Sequence, residues 1–220
     1  DISCFGFCDG QATVIPSGGT GAYTYQWNDP GNQTVNPAIN LCAGTFDVIV
    51  TDSSGCTETE SVKIDEPTVL SVTNDTTTTS CFGVCDGQGI AIPTGGTLPY
   101  TYLWDDPGTQ TVNPAIGLCA GNYCVTTTDS KGCEIITCVT IDQPTALAIS
   151  SGGTDPSCNN VCDGTATVNA TQGSPPYNYL WDDPSAQTNP TAVGLCDGTV
   201  NVTVTDSRGC ILTASVMIIR

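Results

Sequence analysis

The sequence predicts an all-β protein of three tandem, disulfide-bonded repeats, each folded as an immunoglobulin-like β-sandwich. The same cysteines and tryptophans recur every 77 residues along the 220-residue chain, as in a repeat array. The chain contains 24 Gly, 14 Pro and 14 Cys, a composition that favours a loop-rich, oxidised β protein over a helical one. Short segments of alternating apolar and polar residues lie between turn sequences spaced roughly 8 to 12 residues apart, which is typical of β-sandwiches.

Five positions define the repeat and recur without insertion or deletion. They are Cys4, Cys81 and Cys158; Cys8, Cys85 and Cys162; Trp27, Trp104 and Trp181; Cys42, Cys119 and Cys196; and Cys56, Cys133 and Cys210. On this spacing we place repeat 1 at residues 1–66, repeat 2 at 67–143 and repeat 3 at 144–220.

Repeat 1 shows the order of elements. A short strand is predicted at residues 11–15, and the alternating Tyr-Thr-Tyr-Gln-Trp of residues 23–27 predicts a strand with both tyrosines and Trp27 on the core face. A polar loop is expected up to Cys42. Alternating apolar residues at 46–50 predict the next strand, the Asp-Ser-Ser-Gly of 52–55 predicts a hairpin turn, and a return strand should end near Ile64.

A further strand precedes the first cysteine of repeats 2 and 3. Pro67 and Pro144 are followed by apolar segments at 69–72 and 146–149, each expected to lead into a polar turn. Repeat 1 has no such segment before Cys4, so we expect a fragment in which the first strand of repeat 1 is missing. A sandwich without this strand exposes unpaired backbone groups. We expect the preceding repeat to supply it, which would join the repeats into a rod.

The charge balance excludes several functions. Four basic residues face 22 acidic ones, giving a formal net charge of −18, so binding to nucleic acid or to an anionic membrane surface is not expected. No apolar run approaches membrane-spanning length. The chain contains no His, which excludes His-dependent catalytic triads. Since every cysteine is expected to be paired, no thiol nucleophile is expected either, and we predict that the protein is not an enzyme.

Four shared cysteines per repeat allow three pairings, and the sequence alone does not choose among them. We favour Cys4–Cys56 and Cys8–Cys42, with the same pairs in repeat 2 (Cys81–Cys133, Cys85–Cys119) and repeat 3 (Cys158–Cys210, Cys162–Cys196). Repeat 2 has two additional cysteines, Cys124 and Cys138. They lie opposite each other in the predicted hairpin, which indicates a seventh bridge. Zinc is disfavoured, because these cysteines lack the clustered spacing of a structural zinc site.

Several motifs in fixed order resemble the SprB repeat of large surface adhesins of gliding bacteria. They are Cys-Phe-Gly-x-Cys-Asp-Gly from Cys4, Gly-Gly-Thr-x-x-Tyr-Thr-Tyr-x-Trp up to Trp27, Leu-Cys-Ala-Gly at Cys42 and Val-x-x-Thr-Asp-Ser-x-Gly-Cys ending at Cys56. Repeat 3 departs in part, with Asn159-Asn160 in place of Phe-Gly. The resemblance implies an immunoglobulin- or PKD-like sandwich, export by the type IX secretion system, an extracellular location at the cell surface, and a role in adhesion or fibre building linked to gliding motility.

Recurrent aspartates are the candidates for a metal site, because carboxylate oxygens are the ligands that Ca²⁺ prefers. The weak calcium candidates are Asp9, Asp86, Asp163, Asp52, Asp129 and Asp206. The alternative is that they form Asx-type turns, since most precede Gly or lie in Asp-Ser-x-Gly. We favour the turns and expect no cofactor. Trp27, Trp104 and Trp181 are expected in the cores and not on a glycan-binding surface.

The leading functional hypothesis is a structural repeat segment of a giant extracellular cell-surface stalk or filament involved in adhesion. The alternative is a ligand-binding adhesin module that recognises glycans or another cell surface. The expected partners are copies of the protein in a fibre or bundle, with no direct membrane contact. The recurring residues are Cys, Gly, Trp and turn formers, which favours the structural role.

Overall fold

The computed structural model describes residues 1–158 and 160–219, and every regular element within these ranges is a β-strand. No stretch in the described part of the chain forms a helix long and apolar enough to cross a membrane. Asn159, which distinguishes repeat 3 in sequence, lies outside the described residues.

The strands follow the same order in each repeat. Repeat 1 contains β1 (Gly10–Ala12), β2 (Thr24–Trp27), β3 (Ala38–Leu41), β4 (Gly44–Thr51) and β5 (Thr57–Ile64). Repeat 2 contains β6 (Ser71–Thr77), β7 (Gly87–Thr94), β8 (Thr101–Trp104), β9 (Ala115–Leu118), β10 (Gly121–Thr128) and β11 (Glu134–Ile141). Repeat 3 contains β12 (Ala148–Thr154), β13 (Gly164–Thr171), β14 (Asn178–Trp181), β15 (Thr191–Leu195), β16 (Gly198–Thr205) and β17 (Ile211–Ile218).

Each repeat forms two antiparallel sheets, which is the immunoglobulin-like arrangement expected from the sequence. One sheet joins the tryptophan strand to the long hairpin, in the orders β2-β4-β5, β8-β10-β11 and β14-β16-β17. The other has the orders β1-β3, β6-β7-β9 and β12-β13-β15. In the first hairpin the register runs from Gly44 opposite Ile64 to Thr51 opposite Thr57, so side chains two residues apart share a face.

Contacts divide the chain into two compact units. One unit comprises Asp1–Asp75, Ala91–Asn113 and Cys124–Cys138, and the other comprises Thr76–Ile90, Pro114–Tyr123 and Val139–Arg220. Because this division runs through the middle repeat, the predicted boundaries at 1–66, 67–143 and 144–220 stay predictions.

A tryptophan lies in the core of each unit. In the first unit Trp27 packs with Ala12, Val48 and Ile64, which come from both sheets of repeat 1. In the second unit a corresponding cluster surrounds Trp181. The exposed fractions of Trp27, Trp104 and Trp181 are 1%, 0% and 1%, so all three indoles are core groups.

The structure corrects two sequence expectations. The segment before Cys42 is a strand, β3, and not only a polar loop. Ala38 and Leu41 are buried and the two residues between them are exposed, so buried and exposed residues do not alternate strictly along the strand. The segment after Pro67 is also longer than expected, because β6 continues to Thr77 where a polar turn was predicted.

Candidate functional site: disulfide network and repeat 1 cleft

One kind of bridge lies within each repeat. Cys8–Cys42, Cys85–Cys119 and Cys162–Cys196 each join residues 34 apart, with Cα–Cα distances of 3.9, 3.9 and 4.0 Å. The second cysteine of each pair directly follows the short strand β3, β9 or β15. These are the pairings favoured from the sequence, and they attach the loop after the first cysteine to the end of that strand.

A second kind of bridge joins one repeat to the next and corrects the sequence prediction. Cys4 pairs with Cys133 and Cys81 with Cys210, at a separation of 129 residues and a Cα–Cα distance of 5.7 Å in both. The predicted pairs Cys4–Cys56, Cys81–Cys133 and Cys158–Cys210 are therefore wrong. Cys56 and Cys158 are unpaired and exposed, so the described residues contain six bridges and not seven.

The length of β5 explains why the predicted pairing fails. The Ile2 N–H donates to the Asp65 carbonyl oxygen at 3.1 Å and the Gly6 N–H to Glu66 Oε2 at 2.9 Å, so the segment around Cys4 lies beside the end of β5. Cys56 directly precedes the start of that strand. Eight extended residues span roughly 27 Å, whereas the Cα atoms of a disulfide lie within about 7 Å. Cys4 therefore cannot reach Cys56 in its own repeat.

Cys133 and Cys210 lie directly beside the segments that carry their partners, Cys4 and Cys81. Cys133 Sγ lies 3.4 Å from the Ser3 carbonyl oxygen, and Cys210 Sγ lies 3.6 Å from the Ser80 carbonyl oxygen. The first cysteine of one repeat thus lies against the hairpin turn of the following repeat, twice in the same geometry.

The additional cysteines of repeat 2 form the hairpin bridge that the sequence predicts. Cys124 in β10 pairs with Cys138 in β11, with a Cα–Cα distance of 3.9 Å. The equivalent residues of repeats 1 and 3 face each other across the same hairpin, Asp47 opposite Ser61 and Asn201 opposite Ser215.

The aspartates of the hairpin turns organise backbone N–H groups. Asp129 Oδ1 accepts from the N–H groups of Lys131 and Cys133 at 2.9 Å, and Oδ2 accepts from the Thr97 N–H at 2.8 Å. Asp52 and Asp206 do the same at the equivalent positions. Each aspartate thus ties its hairpin turn, and the cysteine that ends it, to a neighbouring glycine-rich loop.

These hydrogen bonds keep the turn carboxyls ionised. Burial acts to raise the pKa of Asp129, but the N–H groups of Cys133, Thr97 and Lys131 stabilise the charged form more, so its pKa lies below the usual value. The pKa of Asp206 is lowered by the same balance. The Cys56 N–H is the largest cause of the lowered pKa of Asp52. The carboxylates are therefore the hydrogen-bond acceptors of Asx-type turns.

The other recurrent aspartates are also hydrogen-bonded within turns. Asp9, Asp86 and Asp163 each accept the backbone N–H of the serine six residues earlier. Across residues 1–158 and 160–219, no three His, Cys, Asp or Glu side chains come together as a metal site.

Repeat 1 carries an open cleft of about 520 Å³ beside β1 and the turn of its hairpin. We call it the repeat 1 cleft; it is lined by residues 14–19, Tyr23, Val50, Asp52, residues 56–58 and Glu60. The free thiol of Cys56 belongs to this lining. In repeats 2 and 3 the corresponding space contains leucines from the segments that precede β6 and β12: Leu70 is 9% exposed, and Leu147 packs against the core of its unit.

Comparison with known proteins supports the family resemblance. The SprB repeat family matches residues 1–32 and 153–186, and both matches end at the same position of the 77-residue repeat. No curated protein gives a significant match.

Among solved structures, the chain is similar to the eight N-terminal immunoglobulin domains of Down Syndrome Cell Adhesion Molecule, at 12% identity and a TM-score of 0.41. The similarity covers 96% of this chain but only 34% of that one. A tetra-tandem repeat from the extending region of a large adhesion protein matches at 15% identity and a TM-score of 0.22, over 88% of this chain and 65% of that one. The human desmocollin-1 ectodomain matches at 15% identity and a TM-score of 0.28, over 89% and 51%.

Proposed function

We propose that the chain, in which residues 1–32 and 153–186 match the SprB repeat family, is a tension-resistant segment of an extracellular cell-surface stalk or filament. The role is structural and not enzymatic. The observation that carries the proposal is the connectivity of the disulfides, because it determines which parts of the chain bear force when the two ends are pulled apart.

The bridges form a covalent shortcut through the molecule. From the N-terminus, force passes along residues 1–4, crosses to Cys133, and follows the hairpin bridge from Cys138 to Cys124. It then crosses from Cys119 to Cys85 and from Cys81 to Cys210 before reaching the C-terminus. The remaining chain lies in closed loops that bear no tension even after unfolding.

The shortcut strongly limits extension. A fully reduced chain of 220 residues can extend to roughly 75 nm, at about 3.4 Å per residue. Along the shortcut only about 27 residues and four bridges bear force, which gives roughly 11 nm. Pairing within repeats, as favoured from the sequence, would leave about 63 residues under tension, or roughly 23 nm. Bridges between repeats therefore halve the residual extensibility of an oxidised stalk.

Cys56 and Cys158 occupy the positions that would extend this pattern. Cys56 is equivalent to Cys133 and Cys210, which pair with the first cysteine of the preceding repeat. Cys158 is equivalent to Cys4 and Cys81, which pair with the last shared cysteine of the following repeat. Further repeats of the same kind on either side would continue the shortcut.

The alternative role, in which each repeat binds glycan, has less support. A glycan-binding surface built on the recurring aromatic residues would need them exposed, but the three tryptophans are in the core, and Tyr23 and Tyr25 are half-buried. The residues that recur at the surface form turns through their own backbone hydrogen bonds.

Single-molecule force spectroscopy on the oxidised chain tests the proposal. We expect roughly 11 nm of total extension before covalent rupture, rising to roughly 75 nm in reductant. Changing Cys4 and Cys133 to Ser should lengthen the oxidised chain to roughly 20 nm, because force must then pass through about 56 residues.

Changing Cys124 and Cys138 to Ser is the matched control. It also removes one bridge, but the force path grows by only about four residues, to roughly 12 nm. An oxidised wild-type extension near 23 nm, or equal lengthening in the two variants, would contradict the proposal.

A further inference from the structure

The return strand of the long hairpin is an edge strand in every repeat. Among the described residues, β5, β11 and β17 each end the strand orders β2-β4-β5, β8-β10-β11 and β14-β16-β17. Successive residues of an antiparallel strand point their backbone N–H and C=O groups to alternate sides, so every second residue of an edge strand leaves these groups unpaired. Repeat 2 has a repeat on either side and β11 is still an edge, so this edge is a property of the repeat fold.

Strand β17 lacks the features that protect the other two edges. β5 carries Glu58, Glu60 and Lys63, and β11 carries Glu134. The eight residues of β17 include no charged residue, no Pro and no Gly. Long edge strands in native proteins are usually protected by charges, Pro or bulges. An uncharged, Pro-free segment of this kind readily pairs with a strand of another chain.

The free edge of β17 is accessible. At its start, Ile211 and Leu212 line an open pocket of about 400 Å³. Just past its end, the Ile219 N–H donates to Asp155 Oδ1 at 2.8 Å. Between these points the side chains of Ile211 and Met217, on the solvent face, are 64% and 65% exposed. An added strand can therefore approach along residues 211–217.

The charge distribution indicates which partner can approach. Two copies of a chain with a formal net charge of −18 repel each other and can associate only where like charges do not meet. The six strands of repeat 3 contain no charged residue. At β17, therefore, a second copy of this chain can add its own strand without bringing carboxylates together.

The sequence of β17 is complementary to itself. Two identical strands related by a two-fold axis in one sheet run antiparallel, so the numbers of opposed residues add to a constant. Opposed residues share a face, so this constant is even. Full overlap of residues 211–217 then places Ala214 opposite itself and Ile211 opposite Met217. The exposed side chains of Ile211 and Met217 thus cover each other.

The same register is unfavourable for the other two edges. In repeat 1 it places Glu60, the equivalent of Ala214, opposite the Glu60 of the second copy, and like charges directly opposite destabilise a strand pair. In repeat 2 it places Glu134 opposite Thr140, which covers a carboxylate without giving it a counter-charge. Pairing between copies is therefore most favourable at β17.

We propose that β17 is a pairing site for a second copy of this chain. The β17 strands of two copies add to each other in antiparallel orientation with Ala214 on the two-fold axis, which joins two three-stranded sheets into one of six strands. Because two paired strands bury well under about 1,200 Å², the dimer is weak, with a dissociation constant of roughly 0.1 mM. This interaction surface goes beyond the tension-bearing role and rests on the edge strand, not on the disulfide pairing.

Sedimentation equilibrium of the intact, oxidised chain tests the proposal. Cys56 and Cys158 are first alkylated, so that no disulfide-linked dimer forms. Ala214→Glu, which reproduces the Glu60 of repeat 1, should weaken the dimer at least about tenfold, because two carboxylates then meet on the axis. Leu180→Glu is the matched control: it adds the same charge on β14, at the opposite edge of the same sheet, and should change the dissociation constant less than about twofold.

A second set of variants tests the register. Ile211→Glu and Met217→Lys introduce the residues that repeats 2 and 1 have at these positions. Each change alone should weaken the dimer at least about fivefold by removing the two Ile–Met contacts. The double variant should return to within about threefold of wild type, because Glu then faces Lys twice. Met217→Lys also reduces the net negative charge, so its weakening cannot come from general repulsion.

Thermal unfolding of each variant should match the wild type, so that loss of the dimer is not loss of the fold. The proposal is overturned if the chain is still monomeric at about 1 mM, tenfold above the expected dissociation constant. It is also overturned if Ala214→Glu and Leu180→Glu weaken the dimer equally, or if the double variant does not recover. A dimer that Ser150→Glu abolishes and Ala214→Glu leaves intact would place the contact on β12 instead, and the proposal fails.

Discussion

Removing the bridge between repeats 1 and 2 should destabilise the protein more than removing the hairpin bridge. The Cys4–Cys133 bridge closes a loop of 129 residues, for which the chain-entropy model gives about 5 kcal/mol. The other bridges inside this loop shorten it to roughly 60 residues, which still gives about 4 kcal/mol. The Cys124–Cys138 bridge closes a loop of only 14 residues, worth about 3 kcal/mol.

The measurement compares the two double Cys→Ser variants in guanidinium, followed by tryptophan fluorescence. Both are made with Cys56 and Cys158 also changed to Ser, so that no free thiol exchanges with a bridge. We expect the variant without Cys4–Cys133 to lose about 1 to 2 kcal/mol more unfolding free energy than the variant without Cys124–Cys138. If it loses less, or nothing, the assignment of a bridge between repeats is refuted.

Three further predictions follow from single sites. Thiol titration of the folded, oxidised chain should find two reactive thiols, at Cys56 and Cys158, and a count of zero would contradict the pairing. Asp129→Asn should cost about 1 kcal/mol by weakening three backbone hydrogen bonds. Because the folded pKa of Asp129 is depressed, its stabilisation is full above the unfolded pKa of about 4 and is lost as the pH falls through the folded pKa, so acid titration of stability should be shallower in the variant. Trp104→Ala should cost about 3 to 5 kcal/mol, while Leu103→Ala, at a side chain that is 52% exposed, should cost under about 0.5 kcal/mol by thermal unfolding.

The sequence was informative where a local rule applies. The hairpin turn at Asp52 fixes the register of β4 and β5, and the same arithmetic places Cys124 opposite Cys138, because positions across a tight hairpin follow from the turn. The alternating tyrosines before Trp27 likewise indicate the face that enters the core. Such local rules predict the tryptophan strand, the long hairpin and its turn in each repeat, and the Cys124–Cys138 bridge.

The pairing between repeats was missed because periodicity does not tell which copy supplies a partner. A cysteine that recurs every 77 residues is consistent with a bridge inside one repeat or to the next. The position of Cys4 relative to the return strand was the missing information, and only the hydrogen bonds of the folded chain supply it. With Cys56 before that strand and Cys4 beside its end, the two thiols are an entire strand length apart.

Two other features could not be predicted from the sequence because they depend on tertiary contacts. Strand β3 has only four residues, of which Ala38 and Leu41 are buried, so no period-two pattern marks it. The repeat 1 cleft is recognised only by comparison with repeats 2 and 3, in which Leu70 and Leu147 occupy the equivalent space.

Disulfide mapping of the non-reduced protein tests the central claim most directly. Chymotrypsin cleaves after Phe5 and Phe7 and so separates Cys4 from Cys8, and a Glu-specific protease cleaves after Glu134 and separates Cys133 from Cys138. We predict that mass spectrometry finds the Cys4 peptide joined to the Cys133 peptide, with Cys56 alkylated as a free thiol. A peptide in which Cys4 is joined to Cys56 would contradict the bridge between repeats and, with it, the covalent shortcut on which the proposed tension resistance depends.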